Sequence, residues 1–221
     1  MFAAIYKQVA AILFVALTAS PALAAGKPLT IVALGDSLTA GYLLGPDEGF
    51  VPQLQKALRA RGHADVVVEN AGVSGDTSSG GLSRLDWAVG PDADAVILEL
   101  GANDALRGVD PKLTRANLGA IIARLKARKI PVLLAGMFAP PNMGSDYARD
   151  FNRIYPELAA ANGLVFYPFF LDGVATHEDL ILADGLHPTP EGVSVIVARI
   201  LPKVEELIGR AAATRAANAA R

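Results

Sequence analysis

Five short apolar runs alternate with segments of helical character along this chain of 221 residues. Short runs without strict polar alternation are typical of strands that are buried on both faces, and a helix between successive strands favours parallel pairing. The alternation therefore predicts the α/β class, with a parallel sheet covered by helices on both faces. The predicted strands are residues 29–34, 66–68, 95–100, 130–135 and 164–167.

Helical segments are predicted between these strands and after the last of them. The third segment shows the i, i+3, i+4, i+7 spacing of a single buried helix face. That face consists of Leu118, Ile121, Ile122 and Leu125. The predicted helices are residues 50–61, 77–88, 112–128, 146–162 and 190–209.

The first 24 residues have the pattern of a bacterial secretory signal. Lys7 precedes an apolar stretch at 9–17, and Ala22-Leu23-Ala24 offers small residues to a signal peptidase. An uncleaved membrane anchor is the alternative, but about nine apolar residues are too few for a bilayer that requires about twenty. We therefore expect cleavage, a periplasmic or secreted location, and no membrane span in the mature protein.

Composition indicates one globular domain at residues 25–209, followed by an Ala/Arg-rich tail at 210–221 that either extends the last helix or frays. Hydrophobic residues make up 52% of the chain and charged residues 19%, which suits a sizeable core. No cysteine is present, which excludes disulfides and thiolate nucleophiles. The formal net charge of −2 is too small to predict a nucleic-acid partner, and we expect a monomer.

A serine, a histidine and an aspartate form a candidate catalytic triad. Ser37 lies in Gly-Asp-Ser-Leu directly after the first strand, where ligands of an open parallel sheet bind. His187 would accept the proton of the Ser37 hydroxyl, and Asp184 would orient the imidazole. Taken singly, Ser37 also fits a helix N-cap and His187 a surface histidine. The other two histidines, at 63 and 177, lack a partnering motif.

Three groups are candidate donors to the oxyanion of a tetrahedral intermediate: the backbone N–H groups of Ser37 and Gly75 and the side-chain amide of Asn103. Each such donor contributes roughly 3 kcal/mol to catalysis. Asp36 and Asp104 lie inside the motifs, and their carboxylates are compatible with catalytic acids or with a metal pair, but loop-stabilising hydrogen bonds are the favoured interpretation. Without closely spaced histidines or an Asp-rich calcium loop, we expect no metal and no cofactor.

With Ser37, Gly75, Asn103 and His187 in this order, the chain resembles the SGNH, or GDSL, hydrolase superfamily. Four motif blocks carry the resemblance, at residues 35–41, 70–77, 98–107 and 184–188. They resemble the periplasmic branch of multifunctional thioesterase, protease, lysophospholipase and arylesterase enzymes. The resemblance implies a flavodoxin-like three-layer α/β/α sandwich with five parallel strands in the order 2-1-3-4-5. The Gly-x-Ser-x-Gly elbow of α/β-hydrolases is a different motif.

Two apolar segments are candidates for the substrate site. The loop that contains Met137 and Pro140 follows the fourth strand, and Phe169 and Phe170 follow the fifth. Together these side chains either line an acyl pocket or close the core beneath the loops. The glycines after Gly75 similarly suit either a loop that shifts when substrate enters or a rigid helix start.

The combined pattern predicts a serine esterase that hydrolyses short-to-medium acyl esters through an acyl-Ser37 intermediate. Aryl esters, thioesters and lysophospholipids are the expected small-molecule substrates. One alternative is a carbohydrate O-deacetylase of the same superfamily, which requires a more open and polar site. Another is a non-catalytic module that binds lipids or acyl groups. Protonation of His187 should lower the rate in acid.

Overall fold

The computed structural model describes residues 27–220, and its central element is a sheet of five parallel strands. The strands are Leu29–Gly35 (β1), Val66–Gly72 (β2), Ala95–Glu99 (β3), Val132–Ala135 (β4) and Val165–Tyr167 (β5). Their order is β2-β1-β3-β4-β5, which confirms the topology that the family resemblance implied. Every residue of β1 and β3 is buried, which explains why their sequences are apolar apart from Thr30 and the final residues Gly35 and Glu99.

Helices cover both faces of this sheet. The helices are Ser37–Ala40 (α1), Phe50–Ala60 (α2), Ser78–Ala88 (α3), Ala102–Leu106 (α4), Pro111–Ala127 (α5), Ser145–Asn152 (α6), Ile154–Asn162 (α7) and Pro190–Ala219 (α8). α2 packs against α8, whereas α3 and α7 pack against α5. The three-layer α/β/α sandwich is therefore confirmed. The predicted buried face of α5 lies in the core, where its four apolar residues are fully buried.

The helix predicted at 146–162 is divided into α6 and α7, with Arg153 between them. Pro156 is the third residue of α7 and has no N–H to donate to the carbonyl group of Asn152. The regular bonding pattern resumes where the Glu157 N–H donates to the Arg153 carbonyl over 3.3 Å. The break therefore follows from proline within the first turn of the second helix.

Helix α8 continues through the Ala/Arg-rich tail as far as Ala219. The Arg215 guanidinium group binds both carboxylate oxygens of Asp94, at 3.0 and 2.5 Å. The same group donates to the carbonyls of Lys27 and Pro28 at 2.6 and 2.9 Å. These contacts connect the tail to the start of β1, so the tail extends the last helix.

The predicted signal peptide, residues 1–24, lies outside the described residues. Between residues 27 and 220, no helix combines the length and the apolar character that crossing a bilayer requires.

The carboxyl ends of β1, β2 and β3 lie in register, with Gly35 opposite both Gly72 and Glu99. Glycine is required at the ends of β1 and β2 because α1 folds back onto this edge. A Cβ atom at Gly72 would lie 2.3 Å from the backbone nitrogen of Ala40, and one at Gly35 would overlap the Thr39 side chain. The close approach places α1 directly above the sheet.

Candidate active site

Ser37 is the first residue of α1 and is not its N-cap. The N-cap is Asp36, whose carboxylate accepts the Leu38 N–H at 3.0 Å. Asp36 is fully buried, and this bond agrees with the predicted loop-stabilising role of its side chain. The short helix thus presents Ser37 at the carboxyl edge of the sheet, immediately after β1.

The structure brings Ser37, His187 and Asp184 into one hydrogen-bonded chain. The Ser37 Oγ atom lies 2.9 Å from His187 Nε2, and His187 Nδ1 lies 2.6 Å from Asp184 Oδ2. With the Nδ1–H donating to the carboxylate, Nε2 is free to accept the serine proton. The alternative interpretations of Ser37 as a cap and His187 as an unconnected surface histidine do not fit this arrangement.

The loop that contains Asp184 and His187 is stabilised by hydrogen bonds from its own backbone to the Asp184 side chain. Asp184 Oδ1 accepts the N–H groups of Leu186 and His187 at 2.9 and 3.0 Å. Burial favours the protonated acid, but these two bonds and the His187 ring outweigh it and lower the Asp184 pKa to about 2. Asp184 is therefore a carboxylate at neutral pH, as an orienting partner for imidazole must be.

Gly75 and Asn103 line the same cleft as Ser37 and His187. Gly75 has a φ of +81°, a left-handed conformation that favours glycine, and its carbonyl accepts the Arg107 guanidinium at 2.8 Å. The Asn103 amide donates one N–H to Asp36 over 3.2 Å. An amide carries a second N–H, so Asn103 retains a donor for a ligand in the cleft.

Asp104 is a buried residue of α4, the helix that contains Asn103, and it connects α4 to α3, the helix that follows Gly75. Its carboxylate accepts the N–H and hydroxyl of Ser78, at 2.7 and 2.5 Å, and the Thr114 hydroxyl at 3.1 Å. The predicted hydrogen-bonding role of Asp104 agrees with these contacts. The start of α3 is consequently fixed, which favours the rigid-helix interpretation of the glycine-containing segment after Gly75.

Glu99 contributes a buried carboxyl group beneath the site, and it was not among the residues predicted from the sequence. Its Oε2 accepts the Thr39 hydroxyl at 2.7 Å and the Asp36 N–H at 3.3 Å. Its Oε1 has no hydrogen-bond partner among the described residues. An acidic residue at the end of an otherwise apolar strand was the available signal, since burial of an unpaired charge is costly.

Burial raises the pKa of both carboxyl groups at this position. For Glu99, burial and then the nearby Asp36 charge raise the pKa well above its ordinary range. For Asp36, burial raises the pKa to about 6, although bonds from Leu38 and Asn103 oppose the shift. Because Asp36 accepts two N–H groups and Glu99 has an unpartnered oxygen, we expect Glu99 to be the protonated member of the pair.

An apolar cleft of about 740 Å³ adjoins the triad. Three of the four predicted substrate-binding residues, Met137, Pro140 and Phe169, line it. Phe169 stacks on Phe138, with 4.6 Å between the ring centroids and 25° between the ring planes. The cleft therefore presents a largely apolar wall, including an aromatic pair, next to Ser37.

The prediction that Phe170 lines the cleft is wrong. Phe170 is fully buried and packs edge-on against Phe50, with 5.0 Å between the ring centroids. Its N–H donates to the Gly136 carbonyl at 2.9 Å. Phe170 closes the core beneath the loops, the alternative role considered for this pair.

Neither of the other two histidines lines the cleft. His63 Nε2 lies 3.5 Å from a carboxylate oxygen of Glu205, and His177 is exposed in the loop before the histidine motif. Across residues 27–220, no group of three histidine or acidic side chains is arranged to hold a metal ion.

A serine, histidine and aspartate at the carboxyl edge of this α/β/α sandwich define the class of serine hydrolases. Residues 33–195 match the model of the GDSL-like lipase/acylhydrolase family, and the chain belongs to this family. The predicted recognition is thus confirmed, as is the predicted enzyme class, a carboxylic-ester hydrolase.

Similar proteins of known name are esterases. Esterase TesA of Pseudomonas aeruginosa is 38% identical over 81% of this chain and 89% of its own. An arylesterase of Vibrio mimicus is 40% identical over 78% and 88%, respectively. The thioesterase 1/protease 1/lysophospholipase L1 of Escherichia coli K12 is 34% identical over 81% and 85%. The solved structure of AlinE4, an SGNH-hydrolase family esterase, is 45% identical and covers 82% of this chain and 97% of its own, with a TM-score of 0.70.

Proposed function

We propose that this hydrolase cleaves short-to-medium acyl esters through an acyl-Ser37 intermediate. Two consecutive hydrogen bonds carry the proposal. One joins Ser37 Oγ to His187 Nε2 at 2.9 Å, and the other joins His187 Nδ1 to Asp184 Oδ2 at 2.6 Å. A serine hydroxyl is a weak nucleophile at neutral pH, and an aligned imidazole base activates it.

In the first half-reaction, Ser37 Oγ attacks the ester carbonyl while His187 Nε2 accepts the hydroxyl proton. The imidazolium then transfers this proton to the leaving alcohol or thiol as its bond to the acyl carbon breaks. In the second half-reaction, His187 accepts a proton from a water molecule as its oxygen attacks the acyl carbon. The imidazolium returns this proton to Ser37 Oγ as the acyl–Oγ bond breaks and the acid leaves. Asp184, ionised at neutral pH, stabilises the imidazolium in both steps.

The negative charge on the tetrahedral intermediate requires hydrogen-bond donors. We assign the backbone N–H groups of Ser37 and Gly75 and the free amide N–H of Asn103 to this role, since all three residues line the cleft. Asp36 supports the assignment because it accepts the other Asn103 N–H and so fixes the amide plane.

The character of the cleft favours an acyl chain as the group that lies beside Ser37. Met137, Pro140 and the stacked pair Phe138–Phe169 supply apolar contacts in a volume that accommodates a medium-length chain. The names of the relatives, an arylesterase and a thioesterase/lysophospholipase, support aryl esters, thioesters and lysolipids as substrates. A carbohydrate O-deacetylase suits this apolar wall less well, and a non-catalytic binding module gives no reason for the aligned triad.

We further propose that a signal peptide at 1–24 is removed, that residues 25–209 form one hydrolase domain, and that the protein acts as a periplasmic or secreted monomer. The short apolar stretch and the small residues at 22–24 support export. Amino-terminal sequencing of the protein recovered from the periplasm tests the cleavage.

The decisive experiment compares mature wild-type protein with Ser37→Ala on p-nitrophenyl esters from acetate to palmitate. We expect a rate maximum between butyrate and octanoate, and a loss of at least about 10³-fold in the variant. Ser83→Ala, an exposed serine outside the cleft, serves as the matched control and should keep the wild-type rate. Full activity of Ser37→Ala would refute the mechanism, and activity restricted to acetate would favour the deacetylase.

A further inference from the structure

His187 contacts an aromatic ring as well as forming hydrogen bonds through both of its nitrogens. The Tyr42 and His187 rings are tilted against each other, with 4.7 Å between the ring centroids and 49° between the ring planes. Tyr42 also lines the cleft and remains 43% exposed. A tyrosine this exposed contributes little to the core, and its contact with His187 connects it to the triad.

The turn that follows α1 connects Tyr42 to the nucleophile. The N–H groups of Gly41 and Tyr42 both donate to the Ser37 carbonyl at 3.1 Å. Tyr42 is therefore hydrogen-bonded to the residue whose hydroxyl faces His187.

The same turn holds an unfavourable backbone conformation. Leu43 has a φ of +62°, one of only two left-handed non-glycine residues in the described part of the chain. Its side chain is 68% exposed, so burial of Leu43 does not explain the conformation. Strained residues of this kind persist where the surrounding structure requires them, and they cluster at functional sites. Here the conformation reverses the chain immediately after Tyr42.

We propose that Tyr42 is a positioning residue: its ring holds the His187 imidazole in line with Ser37 Oγ and stabilises the imidazolium that forms during attack. The face of an aromatic ring attracts a cation. The charged groups that face the imidazole are Asp184 from its own loop and Asp36 from the turn before α1. Both carboxylates act on the imidazole as charges, whereas Tyr42 contacts it through an aromatic ring. This inference rests on the proposed roles of Ser37 and His187.

The test measures kcat, KM and the pH–rate profile on p-nitrophenyl butyrate for Tyr42→Leu, Tyr42→Ala and Tyr42→Phe. We expect the leucine and alanine variants to lose about tenfold in kcat with KM within about twofold. The acid limb of their profiles should move to lower pH, because the imidazolium loses a stabilising contact. Phenylalanine keeps the ring face and should restore kcat to within about twofold of wild type.

Trp87→Ala removes an exposed aromatic ring outside the cleft and should leave all three measurements unchanged. Thermal melting of each variant separates loss of folded protein from loss of rate. Wild-type kcat in Tyr42→Leu, an equal loss in Tyr42→Phe, or an effect confined to KM would each overturn the inference. Failure of the proposed function is distinct, since it appears as activity in Ser37→Ala whatever the Tyr42 variants do.

Discussion

The backbone N–H of Asp36 donates to the buried Glu99 carboxyl over 3.3 Å, so two acidic residues meet directly beneath the nucleophile turn. The Asp36 carboxylate accepts the Leu38 N–H and an N–H of the Asn103 amide. Glu99 accepts the hydroxyl of Thr39, which lies in the same short helix as Leu38. A neutral Glu99 allows this contact, because two adjacent buried charges of the same sign would repel. The protonation of one buried acid thus contributes to the geometry of the nucleophile turn and of the oxyanion donor.

The assigned proton on Glu99 predicts how stability depends on pH. With the Glu99 pKa raised well above its ordinary value of 4.5, the folded protein retains a proton that the unfolded chain releases at that value. The free energy of unfolding therefore decreases as the pH rises above this value, and Asp36 contributes in the same direction between 3.8 and about 6. Glu99→Gln removes the Glu99 contribution. Urea unfolding at pH 5, 6, 7 and 8 should show the variant gaining stability relative to wild type as the pH rises.

The control for this series is Glu69→Gln, which changes an exposed carboxylate on the edge strand β2. Its difference from wild type should not vary with pH. A constant difference between Glu99→Gln and wild type would show that Glu99 is ionised in the folded protein.

The triad predicts a second pH dependence, in the rate. Since the Asp184 pKa is about 2, this carboxylate stays ionised throughout the range from pH 5 to 8. The fall in kcat/KM towards acid over that range should therefore not come from Asp184. It should come from protonation of His187 and of Asp36, whose pKa is about 6. Measurement of kcat/KM against pH with p-nitrophenyl butyrate checks this expectation, and a flat profile contradicts the assignment of His187 as the base.

Replacement of Asp184 tests the orienting role separately. Asp184→Asn keeps the shape but removes the charge, so the imidazole loses both its tautomer preference and its cation partner. We expect kcat to fall by about 10²–10⁴-fold. Asp179→Asn, an exposed residue of the same loop region, should retain the wild-type kcat. Equal rates for the two variants would exclude Asp184 from the catalytic unit.

Local sequence predicted the strands and much of the active site because those features depend on neighbouring residues. Ser37 and His187 lie in recognisable motifs, and the apolar runs mark the strands, of which β1, β3 and β4 are buried on both faces. The strand order depends on contacts between distant segments, and only the family resemblance supplied it. The state of Glu99 was not predictable because it results from burial by Thr39 and Asp36 in the folded structure.

The adjacent residues Phe169 and Phe170 show the same limit and yield a further prediction. Phe169 lines the cleft and Phe170 is fully buried, a division that depends on the backbone after β5 has ended. Phe169→Ala should raise KM for the octanoate ester more than for acetate, by roughly tenfold, because the longer chain loses its aromatic contact. Phe170→Ala should instead lower the free energy of unfolding by about 3–5 kcal/mol through a cavity in the core.

Chain-length profiles and urea unfolding of both variants distinguish these effects. Each phenylalanine variant is the control for the other, since both lose the same side chain one residue apart. Selectivity that changes in Phe170→Ala and not in Phe169→Ala would reverse the assignment.

The contacts of Arg215 predict that the tail stabilises the fold without contributing to catalysis. Arg215→Ala removes bonds to the Asp94 carboxylate and to the Lys27 and Pro28 carbonyls, and thereby frees the start of β1 from the end of α8. Because the Arg215 side chain is 37% exposed, solvent reduces the effect, and we expect a loss of roughly 1–2 kcal/mol in unfolding free energy.

The control is Arg59→Ala, which removes an exposed arginine from α2 and should lower the unfolding free energy by less than about 0.5 kcal/mol. Both variants should keep the wild-type kcat, since neither residue lies at the carboxyl edge of the sheet. A lower kcat in Arg215→Ala under conditions where the variant is fully folded would instead show that the tail influences the triad.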